Sequence, residues 1–306
     1  NRPGALHGPF SALKAHHVEL WAILSSALFE ARRFEEAEEV CQLTLHLDPG
    51  NLTATSNLGS IRMAQGQLAE AEGIFRTLVA EHPSDEPSRL LLVTCLARKK
   101  DLIQSHTEID AALARWPSSL SVHKTLVGTF YNFGLWDEFK AEIDRYQRVD
   151  PTSAHPEWER SLMDLLHGDM AEGWARYEAR LRLPVESKPQ RLFQEPAWTG
   201  TPFANQTLLL WAEQGLGDTL MFLRYVPMVK ALGGRVILEA PTALLDLAAT
   251  CGGADMLVPK GTPLPAFDLQ SSLMSLPWAF RTVLATVPDQ IPYLDVPETV
   301  PNREAI

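Results

Sequence analysis

Histidine is missing from this chain after residue 167. All nine histidines lie at or before His167, so a histidine base or a histidine-ligated metal is excluded from everything that follows. Cysteine is scarce too. Cys41, Cys95 and Cys251 stand far apart in apolar helical patterns, with no Cys-x-x-Cys and no His-Glu-x-x-His spacing. That excludes a disulfide framework and the usual zinc sites, and reads as free core thiols of a reducing, cytoplasmic compartment. No stretch approaches the roughly 20 apolar residues of a membrane span. No basic-then-apolar leader is visible. Basic residues are in deficit, 27 against 38 acidic, for a net charge of −11. A nucleic-acid backbone or an anionic membrane surface would need basic patches, so neither is expected as a partner. The chain begins at Asn1 rather than Met and is read as a fragment or a processed chain.

What is present points to two domains. The length of 306 residues and the 45% hydrophobic content suffice for two real cores. Pro49, Pro83, Pro117 and Pro151 recur every 34 residues. Leu24, Leu58, Leu92 and Leu126 share one register of that period. Cys41, Phe75, Ile109 and Ile143 share another, and Ala37 and Ala71 a third. Gly66 and Gly134 fall at the turn between the two helices of a unit, and Trp21 at an early aromatic position. This period resembles the tetratricopeptide repeat, a helix-turn-helix that stacks into a superhelix. The units run at about 18–51, 52–85, 86–119 and 120–153. A degenerate fifth at 154–182 keeps Gly168 at the turn and Tyr177 at the packing position but lacks the proline.

The first helix of each unit is expected to line the inner groove. Its candidate partner-binding residues are Ser26, Phe29, Ser60, Met63, Arg98, Lys124, Tyr131 and Asn132, any of which core packing would also explain. Ala22 and Ser26 stand where a Lys/Asn carboxylate clamp would need lysine and asparagine. Residues 1–17 are uninformative, with Pro3, Gly4, Gly8 and Pro9 suggesting a loop. From 183 to 205, Pro184, Pro189, Pro196 and Pro202 interrupt any helix and mark a linker. Trp158, Trp174 and Trp198 cluster in sequence around this joint.

From 206 the period changes. Leu208-Leu-Leu-Trp211 reads as a buried strand within 207–212, followed by Gly215-x-Gly217 and a helix over 219–232 capped by Asp218 or Thr219. Further strands are expected at 235–239, 256–258 and 267–270, with helices at 241–250 and 275–285. Pro288, Pro292, Pro297 and Pro301 mark an irregular tail. The alternation implies right-handed crossovers and a parallel sheet. The fold class is thus an α-solenoid over 18–182 followed by a Rossmann-like α/β lobe over 206–306. Gly215-x-Gly217 after a strand, with Glu239 in the acidic position, is a weak dinucleotide signal because Leu220 replaces the third glycine. No Gly-Lys-Ser/Thr follows, so a phosphate-loop site fails. A glycine turn with no chemistry is the plain alternative.

Longer segments carry a second resemblance. Leu208-Leu-Leu-Trp-Ala-Glu-Gln-Gly-Leu-Gly-Asp-Thr219, Arg224-Tyr-Val-Pro227, Ala231-Leu-Gly233, Val236-Ile-Leu-Glu239, Phe267-Asp268, Leu273-Met-Ser-Leu-Pro277 and Pro292-Tyr-Leu294 look like the N-terminal lobe of bacterial tetratricopeptide-repeat glycosyltransferases, which have the glycosyltransferase-B fold. Gly173-Trp174, Tyr177-Glu178 and Arg180 fit the same family's junction. The resemblance implies an inverting transfer, with Asp218 as catalytic base and Glu213 as a second carboxylate of the cleft. Gly215, Gly217, Thr219, Arg224 and Ser275 would meet substrate, although Arg224 is also expected to find an internal carboxylate. It implies a protein or glycan acceptor selected by the repeat groove. The nucleotide-sugar donor would bind a C-terminal lobe beyond these residues, so this chain is expected to hold no cofactor and no metal and to be inactive alone. Only Asn57 occupies the inner register where related O-linked N-acetylglucosamine transferases carry an asparagine ladder, beside Ile23, Leu91 and Thr125. The alternative is a non-enzymatic repeat scaffold for protein–protein interaction.

Overall fold

A computed structural model describes residues 9–183, 191 and 193–297, with side chains from Val18 onward. Of the loop and linker residues named above, Pro3, Gly4, Gly8, Pro184, Pro189 and Pro301 lie outside the described residues. The stretch expected as loop is helical from Pro9. Two compact units are formed, Asn1–Pro151 and Thr152–Ile306.

Among the described residues the first unit is a run of eight helices: α1 (Pro9–Glu30), α2 (Phe34–Leu47), α3 (Leu52–Ala64), α4 (Leu68–Glu81), α5 (Glu86–Arg98), α6 (Leu102–Arg115), α7 (Leu120–Phe133) and α8 (Trp136–Val149). Each pair turns through one left-handed residue. Arg32, Gly66, Lys100 and Gly134 hold φ of 58°, 81°, 62° and 68°, spaced by the repeat period. The following amide reaches back to the carbonyl five residues earlier, as in Gln67 N to Arg62 O (2.8 Å) and Leu135 N to Phe130 O (2.9 Å). Orphan carbonyls at the helix end are thereby satisfied. Between pairs, the repeated prolines stop the second helix. Asn51, Asp85 and Ser119 then cap the next one through the amides of Ala54, Ser88 and Val122;.

The registers read from sequence are core positions. Cys41, Phe75, Ile109 and Ile143 are buried, as are Ala37, Ala71, Leu92 and Leu126. Leu58 is half-buried, and Leu24 is 45% exposed, because among the described residues no earlier pair covers that face of α1. The first helices are neighbours in succession, α1 beside α3, α3 beside α5, and α5 beside α7.

The second unit opens with α9 (His155–His167) and α10 (Met170–Tyr177), which turn through Gly168 at φ 91° in the same 34-residue register. The repeat period puts the array's end at 182, whereas packing gathers this fifth pair with the sheet. A 3-10 turn over Glu178–Arg182 follows. Then come β1 (Thr207–Trp211), α11 (Leu216–Leu223), α12 (Val226–Ala231), β2 (Arg235–Ala240), α13 (Leu245–Cys251), β3 (Met256–Pro259), β4 (Leu269–Ser272) and α14 (Leu276–Ala279). All pairings are parallel and the order is β3-β2-β1-β4. Alternation along β1 sends Leu208 and Leu210 into one core with Phe222, Val226 and Tyr177, and Leu209 and Trp211 into another with Ile237 and Val258. Trp198 is buried in the first core, and Trp158 and Trp174 pack against it.

Several boundaries differ from expectation. The helix expected over 219–232 is two helices. Pro227 has no amide to donate to Leu223, and the Cys251 thiol meets that carbonyl instead at 3.2 Å;. The helix expected over 275–285 is only α14. Arg281 turns left-handed at φ 51°, and Thr282 N bonds back to Pro277 O at 2.8 Å. The last strand lies two residues later than expected, at 269–272. Residues 242–244 form a 3-10 turn before α13.

Candidate functional site

The chain order reverses between β1 and β4, and open parallel sheets take ligands at the carboxyl ends of strands at such a switch point. A cleft of about 810 Å³ lies there. Trp198, Trp211, Phe193 and Trp278 form apolar walls, with Glu178, Arg180, Glu213 and the Ser271, Ser272 and Ser275 hydroxyls around the polar part.

Arg180 organises that polar part. Its side chain is 4% exposed. Nε and Nη2 donate to the Glu213 carboxylate at 3.0 and 2.8 Å, and Nη1 donates to Glu178 Oε1 at 2.6 Å. Nη1 also reaches the Tyr177 carbonyl at 3.2 Å, Nη2 reaches Ser275 Oγ at 2.9 Å, and the guanidinium lies over the Tyr177 ring. Burial opposes the charge, and the two carboxylates more than restore it, so the guanidinium is held above its ordinary pKa;. Burial also pushes the Tyr177 phenol up. Ser272 Oγ gives Glu213 a further hydrogen bond at 2.7 Å, and Ser275 Oγ donates to Glu178 Oε2 at 3.0 Å. Lys260 Nζ caps the end of β1 through the Ala212 carbonyl at 2.7 Å. On the other side Glu239, fully buried, pairs with Arg191, whose guanidinium lies over Phe193 and Trp211. The acidic position of the dinucleotide signal is thus already paired.

The glycine turn has a different cap from the one expected. Gly215 is the N-cap of α11, and Asp218 sits three residues on, accepting the Gly215 amide at 3.2 Å. Thr219 is buried and bonds the Gly215 carbonyl at 2.9 Å. A side chain at Gly217 would meet open space. Gly215, Glu213 and Ser275 line the cleft, whereas Gly217, Asp218, Thr219 and Arg224 do not. Arg224 has an internal partner, but the Pro288 carbonyl at 3.2 Å and the Tyr293 ring take the place of the expected carboxylate. Arg180, Arg191 and Lys260 were not singled out for the cleft. Only the Tyr177-Glu178-x-Arg180 junction motif carried a signal, and it gave no partner.

In the repeat array the groove candidates separate. Ser26 accepts the Asn57 amide at 2.9 Å, and Ser60 donates to the Ser56 carbonyl at 3.0 Å. Phe29 packs on Phe34, Tyr131 on Trp136 and Phe139, and Met63 is buried. Lys124 is half-buried, and Arg98 and Asn132 are exposed. Asn57 spends its amide on Ser25, Ser26 and the Ala22 carbonyl. Among the described residues, no cluster of three metal-binding side chains occurs, and no helix is long and apolar enough to cross a membrane.

Residues 28–94 match the tetratricopeptide repeat family model. Protein FlbA of Caulobacter vibrioides is 26% identical over 206 residues, 65% of this chain and 33% of that protein. The chain thus aligns with about a third of the curated relative's length. A thermophilic tetratricopeptide-repeat protein of Thermus thermophilus is 18% identical with a TM-score of 0.47, covering 56% of this chain and 93% of that one. A tetratricopeptide repeat protein of Parabacteroides merdae is 15% identical with a TM-score of 0.40, covering 54% and 71%. The 34-residue helix pairs are tetratricopeptide repeats, and the chain carries an array of them followed by a four-stranded parallel α/β unit.

Proposed function

We propose that the chain is a protein-interaction scaffold whose repeat array holds a segment of a partner. The observation that carries this is the succession of neighbouring first helices α1, α3, α5 and α7, from units that each turn through one left-handed residue. Such arrays present extended binding surfaces because each repeat touches only its neighbours. Arg98 and Asn132, both exposed, and Lys124, half-buried, are polar side chains carried by α5 and α7. The test is a peptide library screened against the whole chain. The selected peptides are then titrated against Arg98→Glu and Asn132→Ala proteins. Loss of binding with unchanged thermal stability supports the reading. Equal binding by both variants refutes it.

A second reading is favoured by the cleft at the β1–β4 switch point. In it the α/β unit is the acceptor side of a glycosyl transfer, and a nucleotide-sugar donor binds on a further lobe. The cleft lining sets Glu178 and Glu213 against Arg180 and Lys260, and the buried Glu239 behind the lining neutralises Arg191. Aromatic walls and serine hydroxyls around a neutral polar centre suit an uncharged hydroxylated ring better than a diphosphate. Calorimetric titration with neutral oligosaccharides and with UDP separates the two. Binding of UDP alone, or of neither, counts against this reading.

A further inference from the structure

The array carries a recessed site of its own. A pocket of about 490 Å³ lies between α6, α7 and α8, lined by Leu113, Pro117, His123, Arg145, Arg148 and Val149 among others. The repeat register shows what is unusual about it. One unit earlier, the position of His123 holds Arg89, which pairs with Glu108. In this unit His123 Nδ1 meets Glu142 at 2.5 Å and its Nε2 meets the Pro117 carbonyl at 3.1 Å. The pair is repeated, but a short imidazole stands where a long guanidinium side chain filled the space. Arg145 and Arg148 occupy positions that are Ala111 and Ala114 one unit earlier. Three register changes therefore converge on one groove.

The two arginines lie three residues apart on α8 and so share a face. Arg145 gives Nη1 to Glu142 at 2.9 Å, which leaves Nε and Nη2 available. Arg148 is exposed, and its guanidinium has no ion-pair partner among the described residues. The charged side chains that line the pocket, Arg145 and Arg148, are cationic in a chain of net charge −11, and the buried Glu142 beside them is already bonded to His123 and Arg145. Leu113 and Val149, both half-buried, and Pro117 supply the pocket's apolar lining. A guanidinium fork is matched to a carboxylate, and that lining to an aliphatic side chain next to it.

We propose that this α6–α7–α8 pocket is a docking site for an acidic peptide segment, taking a carboxylate on Arg145 and Arg148 and a neighbouring apolar side chain on Leu113 and Val149. The test uses the whole chain and a blocked peptide, acetyl-Glu-Leu-Glu-Leu-amide, with its glutamine counterpart as control. Binding is followed by NMR of the arginine Nε–H and the leucine and valine methyl groups. The Glu peptide should shift Arg145, Arg148, Leu113 and Val149, and the Gln peptide should not. Arg148→Glu should weaken binding at least about tenfold, and the exposed position keeps the fold intact, as circular dichroism would verify. Arg145→Gln should weaken it as well. Absence of shifts, shifts confined to the α1–α3–α5–α7 face, or affinity untouched by Arg148→Glu would each overturn the proposal. An equal response to inorganic phosphate would reduce the site to simple anion binding and overturn it too.

Discussion

Glu159 on α9 offers the most quantitative prediction. Its side chain is 13% exposed, and burial raises its pKa from 4.5 to about 7. His155 Nδ1 is 3.9 Å from its carboxylate, too far for a good hydrogen bond. A folded-state value above the unfolded one means that the folded protein holds the proton more tightly. Below pH 4.5 both states are neutral here and there is no penalty. Between 4.5 and 7 the unfolded chain has released a proton that the folded chain keeps, so stability falls as pH rises. Above 7 both states are ionised and the full penalty is present. Two and a half pH units correspond to about 3 kcal/mol, as an upper bound. Glu159→Gln removes the charge and keeps the shape. We expect the variant to be more stable than the parent by roughly 1–3 kcal/mol at about pH 8.5, and no more stable at about pH 4. Urea unfolding followed by tryptophan fluorescence at a series of pH values measures this. A stability difference independent of pH, or a less stable variant on the alkaline side, would refute the reasoning.

Two further predictions concern the repeat geometry. A Cβ on Gly59 would come within 2.5 Å of the Phe75 ring. Gly59→Ala should therefore destabilise by about 1–3 kcal/mol through overpacking, despite alanine's helix propensity advantage of about 1 kcal/mol; a rise in Tm would contradict the close approach. Lys100 holds φ at 62° where three other units use glycine. Lys100→Gly should stabilise by about 1 kcal/mol, read as a higher urea midpoint.

The array was legible because its information is local and repeated. A proline, a turn residue and a buried position recur every 34 residues, and one misread unit is corrected by the next. Even so, glycine marked only part of the turn. Arg32 and Lys100 adopt the same left-handed backbone as Gly66 and Gly134, held there by the helix-end hydrogen bonds, and a charged residue gives no sign of that in sequence. The sheet was legible from its short apolar runs. The helix break at Arg224–Tyr225 was not read, although Pro227 was visible, because prolines are tolerated in the first turn and the apolar pattern continues across it. The cleft's polar centre was least legible. Arg180 and Glu213 are 33 residues apart, and whether two such charges are buried together or solvated separately depends on which end of β1 the 3-10 turn after α10 reaches. The short sequence of either gives no hint.

That same pairing separates the two carboxylates named for base chemistry. Glu213 accepts two bonds from a buried guanidinium and a third from Ser272. To take a proton from an acceptor hydroxyl it would have to give up part of an ion pair that Arg180 needs. Asp218 accepts one backbone amide at 3.2 Å, with its side chain only half-buried, so lone pairs remain open on it. In the glycosyl-transfer reading proposed above, its open lone pairs favour Asp218 as the base over Glu213, although Glu213 lines the cleft and Asp218 does not. The variants distinguish a structural from a chemical role. Glu213→Gln should cost roughly 2–4 kcal/mol of stability, since it leaves a buried guanidinium with only Glu178. Asp218→Asn keeps an oxygen for the Gly215 amide and should change stability by less than about 0.5 kcal/mol. Transfer measured with an added donor-binding lobe should then fall with Asp218→Asn while the urea midpoint stays put. A large stability loss in Asp218→Asn, or none in Glu213→Gln, would contradict this assignment of roles.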